Sequence, residues 1–204
     1  MMLDVTTLNT PVGPLTVLDV TTIDTPVGPV MLLARGATLV GLEFTDRGGR
    51  VKSLQRRLER ALGSFTVREH PDPAGAATRL GAYFAGALDA LDTQLIELHG
   101  TPFQCRVWQA LRAIPCGRTE SYGALAARVG APNAQRAVGA ANGSNPIALF
   151  VPCHRVIATN GTLHGYGGGL DRKAWLLTHE GAWNGELALG TPARVRVPEV
   201  VGVS

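Results

Sequence analysis

A thiol, an imidazole and a guanidinium follow one another at Cys153, His154 and Arg155, directly after an apolar run and a proline. A cysteine is nucleophilic only as a thiolate, and nearby proton-accepting or cationic groups favour that form. The apolar run, residues 147–151, would hold the thiol at the wall of a packed domain, and Pro152 suits a stiff turn better than a strand. Taken alone, the pair also fits a structural cysteine beside a surface histidine, since a free cysteine is usually just a small hydrophobe.

The composition is that of an ordinary soluble protein, because 45% of its 204 residues are hydrophobic and 17% are charged. No apolar run reaches the ~18 residues that a membrane span needs. Residues 1–7 show no basic region followed by an apolar core, so we expect no signal peptide and no membrane partner. Cys105, Cys116 and Cys153 form no paired pattern, which predicts a reducing, cytoplasmic location and argues against a disulfide framework or a cysteine-rich zinc site.

The charge is unevenly distributed along the chain. Residues 1–100 carry nine Arg or Lys and eleven Asp or Glu, whereas residues 101–204 carry ten and five. A basic half beside a slightly acidic half favours a polyanionic partner, of which nucleic acid is the usual candidate. A merely solvated basic face remains the alternative on charge alone.

The N-terminal residues contain a tandem repeat, in which residues 3–14 recur almost unchanged at 18–29. Each copy is typical of a short β-branched strand followed by a Pro/Gly turn, and one pair of copies is too few for a solenoid. The second copy continues into residues 30–34 and 38–44, which completes a small antiparallel meander. We therefore interpret residues 1–17 as a duplicated extension.

Apolar periodicity predicts two helices after the meander, over residues 51–62 and 74–88, the first with five basic residues around its apolar stripe when Arg50 is included. Residues 93–98 are a weaker candidate for an edge strand. The region 18–98 is therefore predicted to be an α/β domain, a small antiparallel sheet with helices.

The C-terminal half predicts short helices with well-marked ends. Thr101 begins a capping-box signature with Pro at the first helical position, and Ser121 can cap a helix over 122–129. A turn then leads to a helix over about 134–142, which gives a helix-turn-helix pattern. We predict a mainly helical domain over 99–182, ending in a helix that starts at Asp171 and followed by a tail at 183–204.

The second of these paired helices is built almost entirely of small residues and carries one long cation, Arg136. A helix that reads the major groove normally carries several polar side chains. This one could instead lie close to a backbone or in a narrow groove, with Arg136 as its probe, or its small residues could serve helix packing. The glycine cluster at 165–169 exposes backbone N–H groups and suits close approach by a ligand.

Together, six motifs resemble the O6-alkylguanine-DNA alkyltransferases, most closely over residues 100–181. They occur in order as Ser-Tyr-Gly at 121–123, Arg-Ala-Val-Gly at 136–139, Asn-Pro at 145–146, Val-Pro-Cys-His-Arg-Val at 151–156, Tyr-Gly-Gly-Gly at 166–169 and His-Glu-Gly at 179–181. A weaker match covers Thr25–Pro29 and residues 83–86. The duplicated N-terminal segment has no counterpart in the family fold.

The resemblance implies a mechanism. Cys153 would accept the alkyl group by direct displacement, His154 would take the thiol proton through a water, and Glu180 would orient that histidine. Tyr122 would donate a proton toward the leaving guanine, and Asn145 would hold the turn that carries the cysteine. The protein would be consumed after one transfer.

The resemblance also implies the partner, double-stranded DNA with an alkylated guanine or O4-alkylthymine, bound from the minor groove by a monomer. The nucleotide would be flipped out, and Arg136 would fill the space that it leaves. The implied DNA contacts are Ser121, Tyr122, Arg136, Ala137, Gly139 and Arg155, and the implied base pocket is Val151, Tyr166 and Gly167. The resemblance implies that no nucleotide or methyl donor is needed. No metal is expected either, because the zinc sites of some members use N-terminal cysteines that this chain lacks. Cooperative binding along DNA stays open.

Three other classes compete with this interpretation. A Cys-His hydrolase could use Cys153 and His154, although adjacent residues make an awkward triad. A non-enzymatic protein that binds alkylation damage would keep Arg136 and Tyr122 but lack the acceptor cysteine. A transcription factor would explain the helix-turn-helix pattern but not Glu180 or the glycine cluster.

Overall fold

The structure, a computed structural model, describes residues 16–183, and the first copy of the repeat and the predicted tail lie outside these residues apart from the tail's first residue. The chain begins with three antiparallel strands, β1 (Thr16–Ile23), β2 (Val30–Arg35) and β3 (Thr38–Phe44). These follow the predicted meander. Strand β1 starts before the second copy of the repeat does, so Thr16 and Val17 belong to the sheet.

The prediction of an antiparallel sheet is wrong in one respect, because the fourth strand makes the sheet mixed. Strand β4 (Phe65–Glu69) pairs parallel with β1, with Thr16 opposite Phe65, and the strand order is β3-β2-β1-β4. Helix α1 (Arg50–Leu62) connects β3 to β4. Because a helical crossover returns the chain in the same direction, β4 runs parallel to β3 and therefore also to its neighbour β1.

Helix α1 covers one face of the sheet. Its buried Leu54 and Leu58 pack with the strand residues Leu18, Val20, Leu33 and Val40. The approach is close at β3, since a Cβ atom on Gly41 would lie 2.9 Å from a methyl group of Leu54. A glycine at this strand position therefore makes room for the helix.

The other face of the sheet shares one core with the helical half of the chain. Helix α2 (Ala76–Phe84) packs here, and residues 93–98, predicted as an edge strand, make only an isolated bridge from Ile96 to Leu39. Strand β3 also contacts the segment that leads to the cysteine, because Leu42 N–H donates to the Pro146 carbonyl at 2.9 Å. The sheet thus supports the turn that carries Cys153.

The helical half has α3 (Pro102–Arg112), α4 (Tyr122–Arg128), α5 (Gln135–Gly143) and α6 (Leu170–His179), with the short parallel strands β5 (Glu120–Ser121) and β6 (Val156–Ile157). Thr101 and Gln104 form the predicted capping box at α3, and the Ser121 hydroxyl caps α4. Buried Trp108 of α3 donates its indole N–H to the Ala141 carbonyl of α5 at 2.8 Å. Among residues 16–183, no helix is both long enough and apolar enough to span a membrane.

Candidate active site

The turn that presents the cysteine is held mainly by the amide side chain of Asn145, with a further bond from Asn142 Nδ2 to the Cys153 carbonyl at 3.3 Å. Asn145 Oδ1 accepts from the Ile147 N–H at 3.0 Å, and its Nδ2 donates to the Val151 carbonyl at 2.7 Å and to Cys153 Sγ at 3.1 Å. Within the turn, Leu149 adopts a left-handed φ of 71°, which is strained for a side chain of this size. The three contacts of Asn145 fix this strained turn and point the thiol at the amide.

The Cys153 thiol is buried, with 4% of the residue exposed. Burial raises its pKa, because it disfavours the charged thiolate, although the Asn145 hydrogen bond and the charges of Lys173 and Arg50 act in the opposite direction. The resting thiol is therefore protonated at neutral pH. Nucleophilic attack requires a base to remove this proton.

His154 follows the cysteine directly in the chain and has the environment of such a base. Its Nε2 is 3.0 Å from Glu180 Oε1, and both side chains are buried. An ionised carboxylate can only accept, so the imidazole carries its hydrogen on Nε2 and its Nδ1 lone pair stays free. Nδ1 is buried without a hydrogen-bond partner among the described residues. Burial lowers the pKa of His154 against the opposing effect of Glu180, so the ring is a neutral base at rest.

Glu180 is the centre of a buried network. Arg155 donates to both of its oxygens, from Nε and Nη2 at 2.8 Å each, and the Tyr83 hydroxyl donates to Oε1 at 2.8 Å. Burial alone would raise the pKa of Glu180, but the hydrogen bonds from His154 and Arg155 outweigh it and hold this pKa well below its usual range. Tyr83 lies on the apolar stripe of α2, and nothing in its sequence context distinguishes it from a core aromatic.

This network corrects the prediction that Arg155 contacts DNA. The residue is 4% exposed, and besides the two bonds to Glu180 its Nη1 donates to the Ile114 carbonyl at 2.6 Å. A guanidinium engaged on three sides inside the protein cannot reach a phosphate or a base edge. Its charge serves the carboxylate that orients His154.

An open cleft of about 600 Å³ lies between α5 and the glycine cluster. Tyr122, Arg136, Gly139, Tyr166 and Gly167 line it, together with Gln135, Gly143, His164 and Gly165. Most of the predicted DNA and base contacts thus meet at one cleft, which has the mostly apolar lining that an aromatic ligand favours.

Two aromatic residues at this cleft have distinct environments. The Tyr122 hydroxyl donates to the carbonyls of His164 and Gly165 at 3.3 and 3.2 Å, so at rest it is turned toward the glycine cluster. The Tyr166 hydroxyl is buried and has no partner among the described residues. A Cβ atom on Gly167 would lie 2.4 Å from the Arg50 guanidinium, so a side chain at this position would have to displace Arg50.

The predicted base-pocket role of the Val151 carbonyl is also corrected. This oxygen already accepts from Asn145 Nδ2 at 2.7 Å and from the Cys153 N–H at 2.8 Å, and the residue is fully buried. A carbonyl has two lone pairs, and both are used here. Val151 therefore belongs to the support of the cysteine turn and not to the pocket.

Helix α5 carries small residues on both its buried side and its exposed side. Val138 and Ala141 are buried against α3 and α4, whereas Arg136, Ala137 and Ala140 are exposed. The packing interpretation therefore holds for the buried face, and the close approach of the exposed face to a duplex stays a prediction. Ser121 is partly exposed, and its hydroxyl oxygen accepts from the Ala124 N–H at 3.1 Å as the α4 cap.

Lys173 is a site residue that sequence reasoning missed. It is completely buried in α6, and its Nζ donates to the carbonyls of Val156 and His164 at 2.6 Å each, which ties the segment after Cys153 to the glycine cluster. Burial lowers its pKa to about 8. A signal was present, since Lys173 falls on the apolar stripe of its helix, three residues after Leu170 and four before Leu177.

Comparisons with known proteins identify relatives of this chain. The family model described as 6-O-methylguanine DNA methyltransferase, DNA binding domain, matches residues 102–182. A methylated-DNA–protein-cysteine methyltransferase of Mycobacterium tuberculosis is 49% identical over 182 residues, 88% of this chain and 93% of that relative. The Salmonella typhimurium protein of the same name is 62% identical over 110 residues. This match includes 54% of this chain and 64% of that relative.

Solved structures match as well. The Mycobacterium tuberculosis OGT in complex with DNA is similar with a TM-score of 0.64 and 42% identity, over 79% of this chain and 92% of that one. The O6-methylguanine-DNA methyltransferase of the archaeon Pyrococcus kodakaraensis gives a TM-score of 0.57 and 27% identity, over 80% and 99% of the two chains.

Within residues 16–183, no group of three or more His, Cys, Asp or Glu side chains could hold a metal ion.

Proposed function

The chain belongs to the methylated-DNA–protein-cysteine methyltransferase family, and we propose that it repairs DNA by moving an alkyl group from O6-alkylguanine to Cys153 in one irreversible turnover. O4-alkylthymine, which carries its alkyl group on a similar exocyclic oxygen, is a second substrate. The buried Cys153 thiol, followed directly in the chain by a buried His154 whose Nδ1 has no partner among the described residues, is the single observation that carries this function.

The transfer is a displacement at the alkyl carbon. The Cys153 sulfur forms a new bond to this carbon while the bond between the carbon and O6 of the base breaks. The electron pair of that bond stays with the guanine, which accepts one proton and is restored to the normal base. The thiol proton and the alkyl group thus exchange places, and no oxidant, reductant or second donor is needed. The thioether product leaves no thiol for a second cycle.

His154 acts as the general base for this step. A thiol whose pKa is raised by burial is protonated at rest, and Nδ1 of His154 offers a lone pair with no competing partner among the described residues. A water between Nδ1 and the thiol would relay the proton, and the site is polar enough to hold one. Glu180 fixes the tautomer and stabilises the imidazolium that forms, as in other nucleophile–base–carboxylate arrangements.

Tyr122 supplies the proton, or a strong hydrogen bond, to the leaving guanine. Its hydroxyl bonds the glycine cluster in the free protein at 3.2–3.3 Å, long distances for O–H donors, and it lines the cleft. A base that enters the cleft would take the hydroxyl from these carbonyls. Backbone N–H groups near Tyr166 and Gly167 would contact the same base.

DNA binds through α4 and α5, used as a helix-turn-helix, with α5 in the minor groove. This role is supported by the exposed face of α5, where small residues allow close approach to the duplex around Arg136. The target atom is inaccessible in a stacked duplex, so the nucleotide is flipped into the cleft and Arg136 occupies the vacated space. Ala137 and Gly139 lie on or beside the same face. The protein acts as a monomer, and a cytoplasmic location stays a prediction from its cysteines.

Intact mass measurement tests this function directly. The protein is incubated with duplex DNA that carries O6-methylguanine, and in parallel with free O6-benzylguanine. The expected product gains one methyl or one benzyl group, and peptide mapping places it on Cys153. A gain on Cys105 or Cys116 instead, or no gain with either substrate, would contradict the proposal. A protein that only binds alkylation damage would show no mass gain while still retaining the duplex.

A further inference from the structure

Helix α1 carries a concentration of positive charge, of which only Arg50 lies near the proposed chemistry. Five of the nine Arg or Lys residues of positions 1–100 lie on this one helix, at positions 50, 52, 56, 57 and 60. The helix has one acidic residue, Glu59. The other residues of positions 1–100 therefore carry four Arg or Lys and ten Asp or Glu. A single basic helix in an acidic region is a local feature and not an average property of the domain.

The basic side of α1 borders an open groove. The groove has a volume of about 820 Å³ and lies between α1 and the segment that leads into α3. Arg56, Arg57 and Arg60 line one side, and residues 98–101 with Gln104 line the other. None of the lining residues is acidic.

Neither Arg56 nor Arg60 pairs with a carboxylate among the residues that the structure describes. Of the carboxylates nearest to the groove in sequence, Glu59 accepts from the Gln55 side chain at 2.8 Å, and Glu97 pairs with Arg35 at 2.5 Å and lies 3.4 Å from His99. Arg56 and Arg60 are both exposed. Their charges are therefore available to an anionic partner.

Arg57 joins this groove to the helix that faces DNA. It donates to the His99 carbonyl at 3.1 Å and to the Ser144 carbonyl at 3.2 Å, and its guanidinium lies 5.2 Å from the centre of the Trp108 ring. Ser144 directly follows α5, whose other end carries Arg136. The eight residue steps from Arg136 to Ser144 span ~12 Å along the helix at ~1.5 Å per residue. This distance equals the rise of about four base pairs of DNA.

We propose that this arginine groove binds the phosphate backbone of the same duplex, about four or more base pairs to one side of the flipped nucleotide. The inference rests on the proposed function, since it takes DNA bound at α5 as its starting point. Arg57 holds the groove in place against α5, and the exposed Arg56 and Arg60 contact the phosphates. Such contacts carry no sequence information, but they add affinity and fix the direction in which the protein lies on the duplex.

The test is the salt dependence of duplex binding by Arg60→Gln and by the double variant Arg56→Gln/Arg60→Gln. Each lost phosphate contact should reduce the slope of log K against log salt by about 0.9, which is up to about eightfold in affinity near ~0.1 M salt. Arg68→Gln is the control for the loss of an exposed arginine elsewhere, because Arg68 lies on β4, at the opposite sheet edge from β3, where it pairs with Asp19 at 2.6 Å. The control should leave the slope unchanged.

The direction of the contact is tested with the lesion placed about three base pairs from one end or from the other end of a duplex of ~20 base pairs. The groove lies beyond only one end of α5, so the double variant should lose affinity for one of the two duplexes and behave as the unmodified protein on the other. Equal losses for both duplexes, an unchanged slope, or the same loss in Arg68→Gln would overturn the proposal.

Transfer from free O6-benzylguanine separates this inference from the proposed function. The double variant should react with the free base at the unmodified rate, because neither arginine touches the cleft. A loss there would mean that the groove supports the fold, which also overturns the inference. If the unmodified protein binds the duplex but transfers nothing from either substrate, the proposed function fails, while the binding slopes still decide the role of the groove.

Discussion

The cysteine turn and the exposed face of α5 are built in opposite ways. Around Cys153, the polar side chains are buried and mostly hydrogen-bonded to one another, and Glu180 accepts hydrogen bonds from three side chains. On α5, Arg136 projects from a face of small, exposed residues. Chemistry at the thiol requires fixed distances between the reacting groups, whereas the proposed binding of a duplex requires a surface that the duplex can approach. A change in the first region should therefore affect chemistry and stability together, and a change in the second should affect only the reaction of duplex DNA.

The largest expected effect is at the thiol itself. Cys153→Ala should abolish alkyl transfer from both the free base and the duplex, because the sulfur that forms the new bond is gone. Binding to a duplex with O6-methylguanine should persist, since the contacts proposed for α5 are untouched. Mass measurement and a binding assay check the two halves, with Cys105→Ala as the control that keeps transfer. Loss of duplex binding in Cys153→Ala would show that the two regions are not separable.

Glu180→Gln should come next and should affect both stability and rate. The substitution leaves Arg155 buried without its opposite charge, and breaking a buried pair in this way costs about 3–5 kcal/mol. Transfer from the free base should slow by about tenfold or more, because the amide no longer stabilises the imidazolium of His154. Tyr83→Phe is the milder comparison, since it removes one hydrogen bond of about 0.5–1.5 kcal/mol and keeps the ion pair. Equal effects of the two variants would contradict the central role of the carboxylate.

The same carboxylate makes stability depend on pH with a defined sign. The pKa of Glu180 is lowered in the folded protein, so its ionised form stabilises the fold above the ordinary pKa of glutamate. That stabilisation is lost as the pH falls through the acidic range toward the lowered pKa. In urea titrations, the free energy of unfolding of the unmodified protein should fall on acidification more steeply than that of Glu180→Gln. Parallel pH profiles would show that the ion pair contributes no linkage.

Arg136→Ala should show a smaller effect that is confined to duplex DNA. If the guanidinium fills the space left by the flipped nucleotide, its loss should slow repair of a duplex by about tenfold, since unstacking costs a few kcal/mol and ~1.4 kcal/mol corresponds to tenfold. Transfer from free O6-benzylguanine and the melting temperature should stay unchanged. Arg136→Lys should restore only part of the rate, because a flexible point charge cannot stack as a planar guanidinium does. Equal loss on both substrates would exclude the extrusion role.

The two regions also differ in how far the sequence could predict them. The motif residues and the helix ends were predictable because capping residues, glycines and prolines act locally, as Thr101 and Ser121 do. The role of Tyr83 and the burial of Arg155 were not, because both depend on contacts with Glu180 across 97 and 25 residues of chain. Strand β4 was not predicted at all, and its parallel direction follows from the helical crossover and not from the strand's own residues.

The smallest expected effect concerns the tandem repeat, where the sheet offers a sharp test. Strand β1 contains Thr16 and Val17, which pair with Phe65 and Thr66 of β4, and the rest of it is supplied by the second copy. Deleting residues 3–14 leaves this strand complete, so the melting temperature should change by less than about 2 °C and alkyl transfer should be intact. Deleting residues 3–17 also removes the two strand residues, which should cost about 1–2 kcal/mol more through lost ladder hydrogen bonds. A large loss of stability in the shorter deletion would mean that the first copy also contributes to the fold, and identical stability of the two deletions would mean that Thr16 and Val17 contribute little to the sheet.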